Sequence, residues 1–111
     1  MAIRAVLEEV EAAGVRCRGV TLLCTNALYR ILRPSELARL LSDDLVREFG
    51  ARLICHDAED PTLIVDLGLT DDHGYPVEVH RLVAESDLTV DVNTNYMRGF
   101  TGGWKSVRVG L

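Results

Sequence analysis

The residues best suited to chemistry lie in one short run, Gly99-Phe100-Thr101-Gly102-Gly103-Trp104-Lys105-Ser106. Three glycines let a backbone approach a ligand closely and adopt conformations that other residues avoid. Their amides can then converge on an anion, and Lys105 adds a positive charge or a nucleophilic amine. A phosphate-bearing cofactor is the natural partner of such a bend. The spacing approaches the GxxxxGK[ST] phosphate loop, but Trp104 stands where the last glycine must let the backbone wrap the phosphates. Too few residues follow Ser106 for the helix that such a loop opens. A nucleotide-phosphate binding module is therefore an alternative reading, and a glycine-rich turn carrying a solvated lysine is the plain one.

A second polar group is His56, Asp57, Glu59 and Asp60. These side chains can ligate a metal, yet no second cluster has helix-type ligand spacing, so a polar turn is the better account. Asp57 can instead orient a loop or a ligand hydroxyl. Asp71, Asp72 and His73 read as a solvated turn, and His80 as a surface or capping residue. Tyr96 and Trp104 can stack on a cofactor ring or seal the loop against a core. The three cysteines, Cys17, Cys24 and Cys55, form no CxxC pair and read as small, mostly buried apolar residues.

The elements that must position these groups follow from hydrophobic spacing. Ile3, Val6, Leu7 and Val10 recur on one helical face, and Gly14 supplies a left-handed stop. Val20 to Cys24 reads as a buried strand handing over to a loop at Thr25 and Asn26. Pro34-Ser35-Glu36 opens a second helix with Leu37, Leu40 and Leu41 inward. Ser42 can cap a further short helix that buries Leu45, Val46 and Phe49 and stops at Gly50. Strands are expected at Arg52–Cys55, Leu63–Leu67, Pro76–Val79 and Leu88–Val92, with turns at Gly68 and at Asp71 to Gly74. One or two helical turns fit His80 to Glu85. Helices alternating with strands define an α/β class with a mixed sheet and flanking helices.

The totals fit one folded domain. The chain has 111 residues, 48% hydrophobic and 26% charged, with a net charge of -5. Basic residues are scattered and aromatics few, which disfavours nucleic acid as a partner. No apolar run has the length of a membrane span, and the glutamates near the start leave no signal-peptide core. A cytoplasmic location is expected.

More of the chain joins the glycine-rich run in one resemblance. Gly99 to Lys105 resembles the Gly-Phe/Tyr-Ser-Gly-Gly-x-Lys segment of the lactate racemase family, with Thr101 in place of serine. His56-Asp57, Leu67-Gly68-Leu69-Thr70, Pro76 to Val79 and Ala84 to Leu88 resemble further segments of that family in the same order. Thr25 to Leu37 resembles its catalytic loop and the helix after it. Gly102 to Leu111 is most similar to a less characterised branch whose members end this stretch in Gly-Gly-x-Lys-Ser-Val-x-Val-Gly-Leu.

The resemblance implies a larger Rossmann-like N-terminal domain, of which residues 1–111 are expected to be an incomplete part. It implies a nickel-pincer nucleotide held covalently by Lys105, with Gly102, Gly103 and Ser106 beside it. It implies a small 2-hydroxy acid as substrate, racemised or epimerised by hydride transfer while a histidine handles the hydroxyl proton. Hydride transfer is needed because the substrate C–H bond is too weak an acid for a histidine alone, and a cofactor must carry that step. Two family positions depart from the pattern. Tyr29 stands where the first catalytic histidine belongs, and Asn95 stands where the second does, ten residues before Lys105. A phenol with a pKa of about 10 is a poor base at neutral pH, and an amide side chain has no titratable proton. A degenerate, non-catalytic member is thus a further alternative. The rest of a larger chain, or a second copy, is an expected partner.

Overall fold

The computed structural model describes residues 2–26 and 30–93. The chain divides into two compact units. One comprises Met1–Cys24 with Leu32–Cys55, and the other Thr25–Ile31 with His56–Leu111.

In the first unit, α1 spans Ala2–Ala12 and buries Leu7. It ends as the sequence requires: Gly14 takes φ +89°, and the Val15 amide donates to the Val10 carbonyl at 3.1 Å. A single 3₁₀ turn, Cys17–Gly19, then leads into β1, Leu22–Cys24. The helix expected after Pro34 is α2, Pro34–Leu41. Pro34 costs it no hydrogen bond at that position, and Glu36 reaches back to accept from the Arg33 amide at 2.8 Å. Helix α3, Asp43–Phe49, follows after Ser42. Ser42 makes no side-chain cap; it is the hinge between the two helices, at φ 86°. Gly50 terminates α3 with φ 49° and opens a second 3₁₀ turn, Gly50–Arg52, before β2, Leu53–Cys55.

Strands β1 and β2 pair in parallel, with Leu22 opposite Leu53, Leu23 opposite Ile54 and Cys24 opposite Cys55. The helical pair α2–α3 supplies the crossover that parallel strands need. Leu7, Leu45 and Phe49 form the core, ringed by Ile3, Cys17, Val20, Leu22, Leu41 and Leu53. The Arg52 guanidinium stitches this layer together. It donates to the carbonyls of Cys17 at 2.6 Å, Val20 at 2.7 Å and Glu48 at 3.1 Å, and lies 4.6 Å over the Phe49 ring.

In the second unit, β3 (Ile64–Leu69) and β4 (Pro76–His80) form an antiparallel hairpin, and α4 covers Arg81–Glu85. Ile64 faces His80, Val65 faces Val79 and Asp66 faces Glu78, after which the register shifts so that Leu69 faces Pro76. Gly68 is therefore not a turn between strands. It sits inside β3 at the irregularity, at φ +97°, with its amide donating to Asp66 Oδ1 at 2.7 Å. The loop after β3 is closed by the Thr70 amide on the Tyr75 carbonyl at 2.9 Å and the Tyr75 amide on Thr70 Oγ1 at 3.0 Å.

The α/β class holds, with parallel and antiparallel pairing divided between two two-stranded sheets. The strand expected at Leu88–Val92 does not form among the described residues. Alternating side chains alone do not make a strand without a ladder to satisfy its backbone, and here Leu88, Val90 and Val92 are all exposed.

Candidate functional site

Strand β2 runs directly into His56 and Asp57, and β1 into Thr25 and Asn26. Loops beyond the carboxyl ends of parallel strands are where α/β proteins gather ligand-binding groups. Asp57, however, is engaged in its own turn. Its Oδ1 accepts from the Glu59 amide at 3.0 Å, and its carbonyl accepts from the Asp60 amide at 3.3 Å. Asp60 does the same one turn later, accepting from the Thr62 amide at 2.9 Å and the Thr62 hydroxyl at 2.7 Å. Those hydrogen bonds from Thr62 hold the Asp60 carboxyl below its usual pKa. The segment is the polar turn expected from its sequence. Among the described residues no three His, Cys, Asp or Glu side chains gather to hold a metal ion.

His56 is different. It is 4% exposed, and its ring lies edge-on to that of His80, centroids 5.3 Å apart at 65°. His80 is 1% exposed, so the surface reading of that residue is wrong while the capping one is right. As the residue before α4 it accepts the Leu82 amide on Nδ1 at 3.1 Å. That bond assigns the tautomer: a lone pair on Nδ1 requires the ring proton on Nε2. Burial, and then the neighbouring His56, pushes the His80 pKa down. His80 is thus held as a neutral imidazole that presents one N–H donor. Neither His80 Nε2 nor His56 Nδ1 has a hydrogen-bond partner among the described residues. A metal ion on His80 Nε2 would require a proton on Nδ1, where the Leu82 amide already points, so His80 is not poised to ligate a metal through Nε2.

Only the burial of His80 was hidden from the sequence, since β4 alternates with Val77 and Val79 turned inward. Period two puts His80 on the opposite face, with Glu78. The chain turns into α4 there and buries the ring. His73 is exposed as expected, paired with Asp72 at 2.9 Å and stacked on Tyr75.

Tyr29, Asn95, Tyr96, Gly102, Gly103, Trp104, Lys105 and Ser106 lie outside the described residues. A family model described as the lactate racemase N-terminal domain matches residues 1–111. The chain belongs to the lactate racemase N-terminal domain family. No curated protein and no solved structure matches it. The match to this family extends over both units of the fold, the helical unit around Leu45 as well as the hairpin unit around His80. No helix among the described residues is long and apolar enough to cross a membrane.

Proposed function

We propose that this lactate-racemase-like domain holds a nickel-pincer nucleotide through Lys105 and serves the racemisation or epimerisation of a 2-hydroxy acid. The observation that carries the reading is the Gly102-Gly103-Trp104-Lys105 run within a chain that matches the family over its full length. An amine at Lys105 is the group a covalent attachment needs. The Gly102 and Gly103 amides and the Ser106 hydroxyl are suited to the nucleotide's polar parts. When bound, the cofactor would supply the hydride-accepting centre that no side chain provides. The described residues offer no ligand set for nickel.

Holding the cofactor and turning over substrate make separate demands on this chain. An ordinary phenol is a poor base at neutral pH and an amide has no titratable proton, so neither Tyr29 nor Asn95 is suited to take the substrate hydroxyl proton. We place that base outside these two positions, on the remainder of a larger chain or on a second copy. In that setting β1 and β2 belong to a larger Rossmann-like sheet whose carboxyl ends face the ligand, in a cytoplasmic protein.

The test is co-expression with the enzymes that make the cofactor, followed by intact mass, peptide mapping and nickel analysis. Wild type is expected to carry the cofactor mass on Lys105, and Lys105→Ala to carry none. An unmodified Lys105 with no retained nickel overturns the proposal. Modification without exchange between D- and L-2-hydroxy acids would instead assign a holding role to a non-catalytic member.

A further inference from the structure

We propose that Cys24 and Cys55 form a cross-strand dithiol that closes reversibly to a disulfide by exchange with a small disulfide such as oxidised glutathione. The two residues are the last of β1 and β2 and stand directly opposite one another in the parallel register. Directly paired residues of parallel strands project from the same face of the sheet, so both side chains leave on one side. Neighbouring strands lie about 4.8 Å apart, within the roughly 4.4–6.8 Å between Cα atoms that a disulfide spans.

Burial, and then the charge and hydrogen bonding of the Cys55 sulfur, pushes the Cys24 thiol up. The other contact of Cys55 is a long one, Sγ to the Leu32 carbonyl at 3.9 Å, so no strong bond must break for it to turn toward Cys24. Both residues are half-buried rather than sealed in the core, which leaves a path for a small reagent. Cys17 is the natural internal control, because its Sγ is directed to Glu48 Oε1 at 3.4 Å.

The exchange balances in two steps. One protein thiolate attacks a glutathione sulfur, forming a mixed disulfide and releasing one glutathione thiolate. The other protein thiolate then attacks the protein sulfur of that mixed disulfide and releases the second. The protein loses two hydrogens and is oxidised by two electrons. Oxidised glutathione is reduced to two thiols, which take the two protons. Because Cys24 is kept as a thiol, closure accelerates as pH rises. The product would staple together the two strand ends from which Thr25 and His56 depart.

The full chain is reduced, freed of reductant, incubated with oxidised glutathione under native conditions, then alkylated and mapped by mass spectrometry. Expected are a mass lower by two hydrogens, a Cys24–Cys55 linked peptide, alkylation at Cys17 alone, and reversal by dithiothreitol. Cys17→Ser retains the link. Cys24→Ser and Cys55→Ser each leave a stable glutathione adduct on the remaining strand cysteine. In urea the pairing loses its selectivity and links to Cys17 emerge. A wild type that stops at a glutathione adduct, keeps all three thiols, or links through Cys17 under native conditions overturns the proposal.

Discussion

His80 shows how one side chain can serve backbone and core together. Its Nδ1 caps α4, and its ring fills the interior beside His56. Protonation at Nδ1 would break the cap and bury a charge, so the folded state resists it, in keeping with its lowered pKa. The sign follows from linkage. The folded pKa lies below the unfolded value of about 6.5, so the unfolded chain takes up the proton first. The contribution of His80 to stability is complete above that value, erodes as pH falls toward the folded pKa, and levels off below it. Urea midpoints measured across this range should fall on acidification in wild type and fall less in His80→Asn, which keeps a capping acceptor. At neutral pH His80→Ala should lose roughly 2 kcal/mol, from a lost cap and an unfilled site. Equal slopes in wild type and His80→Asn would remove His80 from the account.

At the scale of elements, the segment from Cys17 to β1 is fastened to the end of α3 by Arg52 rather than by a sheet ladder. Its guanidinium joins the Cys17 and Val20 carbonyls to the Glu48 carbonyl and stacks on Phe49. Charged donors to carbonyls contribute about 1.5–3 kcal/mol each when well placed, but these share one side chain and are not additive. Arg52→Ala should therefore cost on the order of 3 kcal/mol in chemical denaturation. Arg52→Lys should recover only part of it, because an ammonium cannot span the same fork. Among the described residues the hairpin has no comparable fastening. Its β3 strand breaks register between Asp66 and Leu69 around Gly68, and its continuation beyond Ile64 depends on the Arg81 amide and guanidinium reaching back to Leu63 and Thr62.

Among the described residues the buried apolar side chains, Leu7, Leu37, Leu45 and Phe49, all belong to the first unit. The buried residues described in the second unit are His56 and His80. Apolar burial is what makes local opening costly, and a two-stranded hairpin alone is marginal in water. Amide hydrogen exchange is accordingly expected to be slowest in α1, α3 and β1–β2, and clearly faster in β3–β4. Uniform protection of both units would contradict this division.

Much of this organisation was legible in the sequence. Period 3.6 and the stops at Gly14 and Gly50 placed α1, α2 and α3 through Leu7, Leu37 and Leu45, although Leu40, expected inward, is 62% exposed and Ser42 makes no side-chain cap. The run at Gly99 to Lys105 and the order of the other motifs pointed to the family. Local spacing is blind to what lies opposite, however. The cysteines of Leu22-Leu23-Cys24 and Leu53-Ile54-Cys55 became a pair only through an in-register parallel ladder, although the repeated pattern of two aliphatics and a cysteine was a signal for it. His80 was buried by the turn from strand to helix, and Leu88 to Val92 had the alternation of a strand but no ladder among the described residues. Sequence determined where the chain coils and caps, since those free energies arise within a few residues. Which side chains face each other was decided only by tertiary structure, since that depends on register and on the path of distant segments.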